Sequence, residues 1–191
     1  LMDSVTRYAR ALREIGLPVG APAVRRGSSP SAFAELPRLF ERAGNDAHGS
    51  ITAFYTVLAE DEDGSDRVAE ETRSILDGHI VLSRDLAQAG HYPAIDVLAS
   101  TSRVFGQVTS RPQQDAAQHV RALMAKHQEI RFLLQVGEYA PGSDALADAA
   151  IDAQPALREL LRQRPEEASP MDDTLRQLQQ LQPPQRIKHS A

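Results

Sequence analysis

Cysteine is absent from the 191 residues. That excludes a disulfide framework, a thiolate zinc site and a cysteine nucleophile. No apolar stretch approaches the roughly 18 residues that span a bilayer. The opening "LMDSVTRYARALREIG" has two apolar residues before an acid and then an arginine-bearing helical pattern, which is not the pattern of a secretory leader. The expected compartment is therefore the cytoplasm. Excess positive charge is lacking too: the net charge is −5, which gives no general attraction to nucleic acid or anionic lipid. G-x-S-x-G, H-E-x-x-H and a paired-carboxylate signature do not occur. The six histidines are scattered without ligand spacing; Asp115, His119 and His127 share a helical stretch and read as surface residues. No G-x-x-x-x-G-K-S/T occurs, nor any Gly-Lys pair. If the chain binds a nucleotide, its phosphate cradle is expected upstream of Leu1.

What is present begins with an oddity. Leu1-Met2-Asp3 reads as the end of a buried strand closing on an acid, so the chain is expected to be the C-terminal part of a longer protein. A tailored start is the alternative. A helical stripe follows at Val5, Tyr8, Ala9, Leu12 and Ile15, closed by Gly16. "LPVGAPAVRRGSSPS" is a loop by its Pro, Gly and Ser content. A helix from about Ser31 to Ala43 turns Phe33, Leu36, Leu39 and Phe40 inward and stops at Gly44; Pro37 predicts a bend or a late start. "SITAFYTVLAE" is the strongest strand pattern, ending in the acidic turn "EDEDG" at 60–64. A helix "DRVAEETRSILDG", a short strand "HIVLS" and a helix "RDLAQAG" capped by Ser83 come next.

Strands alternating with helices argue for a parallel α/β sheet to about residue 110. Beyond it only helical patterns remain. One carries Val120, Leu123, Met124, Ile130, Leu133 and Leu134 and ends at Gly137; two more follow, with Ser169 and Pro170 as cap and first-turn proline of the last. The expected organisation is residues 1–112 in an α/β domain, 113–182 in a small helical domain and 183–191 as a tail.

Four residues stand out for chemistry. Asp3 follows an apolar strand end and precedes a helix, the geometry of a Walker B aspartate that holds Mg²⁺ on a nucleotide phosphate. An ordinary helix cap has the same pattern, and spacing leaves both open. Arg7 lies one turn further on, facing the same sheet mouth or simply solvent. Tyr92 is held extended or in a turn by Pro93, either to stack on a base or to fill a core. Arg103 follows "LASTS" with no acid near it in sequence; it can pair elsewhere, be solvated, or serve a neighbouring subunit's phosphate.

Five stretches in order, "LMDSVTRYARALREIGLPVGAPAVRRG", "SPSAFAELPRLFERAG", "GSITAFYTVLAE", "ILDGHIVLSRDLAQAGHYPAIDVLASTSRVF" and "LLQVGEYAPGSDALADAAID", resemble the type III secretion ATPases, relatives of the F-type and V-type ATP synthase subunits. The resemblance runs from residue 1 to about 163. Its wording "IDVLASTSRVF" is more similar to the virulence injectisome enzyme than to the flagellar export one. It implies the C-terminal part of a RecA-like P-loop NTPase domain, a parallel sheet with flanking helices, followed by an all-helical domain. By the same resemblance Asp3 is the Walker B aspartate, Arg7 reaches the phosphate end of the nucleotide, Tyr92 packs on adenine, and Arg103 is an arginine finger offered to the next subunit. Arg25 and Arg26 fall on the loop facing the central channel.

The function so implied is ATP hydrolysis with Mg²⁺ by a homo-hexameric ring that energises chaperone release, unfolding and export of effectors. Implied partners are central stalk and stator proteins, an export-gate protein and chaperone–effector complexes, with peripheral association at the inner membrane and no nucleic acid. Two departures stand against the family pattern. Arg67 in "GSDR" replaces a usual proline, and Pro155 predicts a kink or split in a helix. A stretch without the P-loop half is expected to be inactive alone. A flagellar export ATPase, a non-catalytic subunit and a degenerate remnant are the alternatives; Asp3 and Tyr92 together favour catalysis.

Overall fold

The run "SITAFYTV" alternates faces as a strand should, with Ala53, Tyr55 and Val57 turned in and Phe54, Thr56 and Leu58 turned out. In the computed structural model, which describes residues 1–16, 30–59 and 67–182, most of this run is extended but belongs to no ladder. Met2 pairs with Tyr55 in a single parallel bridge. The Met2 amide donates to the Phe54 carbonyl at 2.9 Å, Thr56 N–H to the Met2 carbonyl at 3.0 Å, and Val5 N–H to the Thr56 carbonyl at 2.9 Å. The expected parallel pairing is thus present over one short stretch. The two named ladders of the described residues are both antiparallel.

The chain divides into two compact units, Leu1–Asp77 and Gly78–Ala191. The first contains α1 (Val5–Gly16), α2 (Pro30–Phe40), the two-residue strands β1 (Gly44–Asn45) and β2 (Ser50–Ile51), and α3 (Arg67–Ile75). Val5, Leu36 and Phe40 are its buried centre, with Met2, Tyr8, Leu39, Tyr55, Val57, Val68, Ile75 and Leu76 around them. Phe40 meets Tyr55 edge to face, ring centroids 4.8 Å apart. Pro37 is carried inside α2, and α2 ends before Gly44, which opens β1 at φ 140°. The Asp46 carboxylate accepts from the His48 and Gly49 amides at 2.7 and 2.8 Å and so closes the β1–β2 turn.

The second unit opens with β3 (Gly78–Leu82), α4 (Arg84–Gln88) and β4 (Ile95–Ser102), continues through α5 (Phe105–Val108) and the 26-residue α6 (Arg111–Val136), and closes with α7 (Ala145–Asp152), α8 (Gln154–Leu161) and α9 (Met171–Gln180). Ser83 caps α4, accepting from the Leu86 amide at 3.3 Å. β4 is a full strand, whereas its sequence reads only as an apolar run, and it pairs antiparallel with β3.

Gly137 ends α6 in the left-handed conformation at φ 73°, returning its amide to the last turn. Val120, Leu123, Ala150 and Leu157 form the buried centre of the helices, joined by Met124, Ala153, Leu178 and Leu181. Leu133, expected inside, is exposed. Pro155 splits the helix, standing in the first turn of α8 directly after α7. The cap of α9 differs from expectation: Pro170 itself is the cap residue. Its carbonyl accepts from the Asp173 and Thr174 amides, while Ser169 bonds to the Thr174 hydroxyl at 3.1 Å.

Candidate functional site

Asp3 stands between the paired residue Met2 and helix α1. Ser4, not Asp3, caps that helix. The Ser4 hydroxyl accepts from the Arg7 amide at 3.3 Å and its carbonyl from the Tyr8 amide at 3.2 Å. Ser4 is buried for this purpose. The Asp3 carboxylate is therefore not spent on capping. One of its oxygens accepts the Thr56 hydroxyl at 2.6 Å, and the residue is exposed. Thr6, a further buried polar residue, donates to the Leu58 carbonyl at 3.4 Å and accepts from the Leu58 amide at 2.9 Å. Thr56 and Thr6 thus fasten the extended run 54–58 to the start of α1, fixing the base from which Asp3 projects. Arg7 is exposed on the first turn of α1.

Tyr92 and Arg103 lie in the second unit, at opposite ends of β4. Tyr92 is 57% exposed, which does not fit the core-filling reading, while its backbone is held. The Gln163 amide donates to the Tyr92 carbonyl at 3.0 Å, and the Arg162 guanidinium to the Gly90 carbonyl at 2.6 Å. The His91 amide donates to the Leu86 carbonyl at 2.9 Å, and the Tyr92–Pro93 bond is cis. An apolar ring on a pinned backbone can stack on a flat partner without first losing backbone freedom.

Arg103 is exposed directly after β4. The stretch before it is irregular. His79 pairs with Thr101 and Val81 with Asp96, so Ile80 alone stands opposite residues 97–100. That wide bulge is filled with side-chain hydrogen bonds. The Asp96 carboxylate accepts from the Ala99 amide at 3.0 Å. The Ser100 hydroxyl accepts from the Val81 amide at 2.9 Å and donates to the Asp96 carbonyl at 2.5 Å. Bulges of this kind re-aim the residues that follow them.

A separate staple holds the loop after α6. The Tyr139 hydroxyl donates to the Asp148 carboxylate at 2.8 Å, which also accepts from the Gly142 amide. Lys126 bridges Glu129 at 2.9 Å and Asp144 at 3.0 Å. The hydrogen bonds to Glu129 and then Asp144 raise the Lys126 pKa, and the bond from Lys126 lowers that of Asp144. Burial is the main cause that raises Tyr139.

Among the described residues no cluster of three or more His, Asp or Glu is arranged to hold a metal alone, and no helix is long and apolar enough to cross a membrane. A single exposed carboxylate such as Asp3 suits a hard cation held partly by water, the habit of Mg²⁺. Arg25 and Arg26 lie outside the described residues.

Residues 1–102 match the family model of the ATP synthase alpha/beta family, nucleotide-binding domain. The chain belongs to this family. Residues 109–180 match a second model, the T3SS EscN ATPase C-terminal domain. A type 3 secretion system ATPase of Xanthomonas euvesicatoria is 58% identical over 175 residues, which is 92% of this chain and 40% of that protein. A flagellum-specific ATP synthase of Pseudomonas aeruginosa is 49% identical over 183 residues, 95% of this chain and 41% of that one.

Among solved structures, the assembled ATPase EscN from the enteropathogenic E. coli type III secretion system superposes with a TM-score of 0.89 at 44% identity, over 93% of this chain and 43% of that one. EscN in complex with its central stalk EscO gives 0.84 at 43%, over 93% and 42%. The chain thus spans about two-fifths of the length of the relatives it matches. The α/β-then-helical order is that of a RecA-like ATPase fragment, and nucleotide binding is the business of the matched domain.

What the sequence did not disclose is the set of side chains that hold the backbone near Tyr92 and Arg103: Arg162 on the Gly90 carbonyl, Arg121 and His79 on carbonyls of 97–100, and Gln114 on those of Gly106 and Thr109. Each is a polar residue at a helical, strand or post-helix position like many others. Its role depends on which backbone carbonyl the fold brings beside it.

Proposed function

We propose that this chain is the C-terminal part of an injectisome-type protein-export ATPase, hydrolysing ATP to ADP and phosphate in a homo-hexameric ring. The observation that carries the reading is that both ends of β4 present an exposed residue on a held backbone, the Tyr92 ring at one end and Arg103 at the other. In the proposed mechanism Tyr92 stacks on adenine within its own subunit. Arg7 meets the phosphate end, and Arg103 enters the neighbour's site. Water oxygen bonds to the γ-phosphorus while the bond from that phosphorus to the β,γ-bridging oxygen breaks, and a proton passes to solvent. Negative charge grows on the transferred phosphoryl group, and a guanidinium fixed in a water-poor interface stabilises it. Fingers of this type are worth about 10³ to 10⁵ in rate.

Asp3 would hold Mg²⁺ through water, its other oxygen already oriented by Thr56. When bound, the ion would neutralise charge on the β- and γ-phosphate oxygens. The division between nucleotide and helical domains near residue 112 is supported by the two matched family models, which end at 102 and begin at 109. The chain holds no P-loop motif, so by itself it is proposed to be inactive.

The proposed partners are a central stalk, approached by Arg25 and Arg26, with stator proteins, an export gate and chaperone–effector complexes. The proposed place of work is the cytoplasmic face of the inner membrane. Identity of 58% to a type 3 secretion ATPase against 49% to the flagellar relative favours the injectisome over flagellar export.

The test is ATP hydrolysis by the full-length protein across protein concentration, with Arg103→Ala beside it. Specific activity that climbs steeply with concentration, and falls about 10³-fold or more in the variant, is the expected result. Equal activity in both proteins would return Arg103 to a structural role.

A further inference from the structure

Helix α6 grips the chain on both sides of Arg103. Before it, the bulge of β4 leaves four carbonyls, at residues 97–100, that no regular ladder serves. The Arg121 guanidinium donates to three of them: to Val97, to Leu98 at 3.0 Å and, longer, to Ser100 at 3.5 Å. The His79 ring reaches the fourth, Ala99, at 3.2 Å. After Arg103, the Gln114 amide nitrogen donates to the Gly106 carbonyl at 3.2 Å and the Thr109 carbonyl at 2.9 Å. Gln114 and Arg121 are seven residues apart on α6, two turns along one face.

A guanidinium is suited to this task. Its five N–H groups lie in one rigid plane, so a single side chain can serve several acceptors whose directions differ. Without these donors the carbonyls, which lie at exposed or half-buried positions, would turn to water, and the bulge would lose the side-chain ties that hold its shape. Arg103 is the first residue beyond β4, and a rearrangement of 97–100 reaches it through Thr101 and Ser102, the two paired residues between them.

We infer that Arg121 is a positioning residue for Arg103: by locking the β4 bulge from α6, it aims the guanidinium at the neighbouring subunit's phosphate. The inference rests on the finger role proposed above. Arg121 touches no nucleotide in this account. Its loss should slow the chemical step and leave nucleotide binding, which Tyr92 governs, unchanged.

The experiment uses the full-length assembled ATPase, with steady-state kcat and KM for ATP measured in the wild type, Arg121→Ala, Arg121→Lys, Arg103→Ala and the double alanine variant. A misplaced catalytic group costs up to about a hundredfold, so Arg121→Ala should lower kcat about ten- to a hundredfold. KM should stay within about twofold and ring assembly should be intact. The lysine variant, with one point donor in place of the fork, should recover part of the loss. The double variant should be no slower than Arg103→Ala alone.

Wild-type kcat in Arg121→Ala, beside an impaired Arg103→Ala, would overturn the inference and leave the finger standing. A further fall in the double variant would also overturn it, placing the effect of Arg121 elsewhere. Wild-type kcat in Arg103→Ala would remove the finger reading itself, and the inference with it. Should Arg121→Ala fail to fold, the lysine variant carries the test: reduced kcat at unchanged KM supports the inference, and wild-type kcat refutes it.

Discussion

The extended run 50–58 and the hairpin β3–β4 start from similar sequence, short β-branched and apolar, yet they reach different states. Beyond the two residues of β2, the first keeps strand alternation but makes one parallel bridge, and Ile51, Phe54 and Leu58 stay exposed. The second forms an antiparallel ladder from Gly78 to Ser102, and even its bulge has its carbonyls served by side chains. Parallel pairing depends on partners distant in sequence, whereas a hairpin-like pair finds its own a short way along the chain. The contrast extends to chemistry. Asp3 is oriented by a side-chain bond from Thr56, while the strand leading to Arg103 is held by several. The residue proposed to serve a neighbour thus follows the more heavily tied stretch.

The largest effects that probe this contrast are in the two cores. Leu36 and Leu123 are both almost wholly buried, one in each unit. Leu36→Ala and Leu123→Ala should each cost about 2–5 kcal/mol. Hydrogen exchange should show the loss concentrated in the unit that carries the change. Uniform loss across both units in either variant would show that they do not unfold separately.

Gly78→Ala comes next and bears on the hairpin alone. A Cβ there would stand 2.7 Å from the Thr101 carbonyl oxygen and 3.2 Å from the Ser102 Cα, both backbone, so the strands must part. The expected cost is about 1–3 kcal/mol in thermal or urea unfolding, with faster exchange at 97–103. Unchanged exchange there would show that the two strands separate without disturbing the bulge.

The smallest effect concerns pH. Asp144 has its pKa lowered by the bond from Lys126, so its contribution is present above its unfolded pKa and lost as pH falls through the folded one. Lys126, raised by Glu129 and Asp144, contributes below its unfolded pKa and loses that as pH rises through the folded value. The staple is therefore at full strength near neutrality. Between neutrality and about pH 3, the melting temperature should fall more in the wild type than in Asp144→Asn. Equal slopes would show that the pair adds nothing measurable.

The helices were legible because their signals are local. Gly137 and Ser83 cap where the sequence places caps, and Pro155 splits the helix it interrupts. The strands were legible in position more than in pairing: β3 reads directly as a strand, while its antiparallel partner β4 does not, because hydroxyl and acidic residues interrupt its apolar run. Asp3 was legible as a candidate, but Ser4 as the true cap of α1 was not, since both residue types cap helices equally well. The roles proposed for Arg7, Tyr92 and Arg103 come from family resemblance. Their exposure and the bonds that hold 90–92 and 97–100 come from the fold.

The most direct test of the central claim mixes two crippled full-length proteins, Asp3→Asn and Arg103→Ala. Each should be inactive alone, one losing its own site and the other its neighbour's. If Arg103 acts across the interface, mixed rings contain junctions where an intact Asp3 faces an intact Arg103, and ATP hydrolysis should return. Activity that stays at the sum of the separate proteins at every mixing ratio would contradict the account and confine Arg103 to its own subunit.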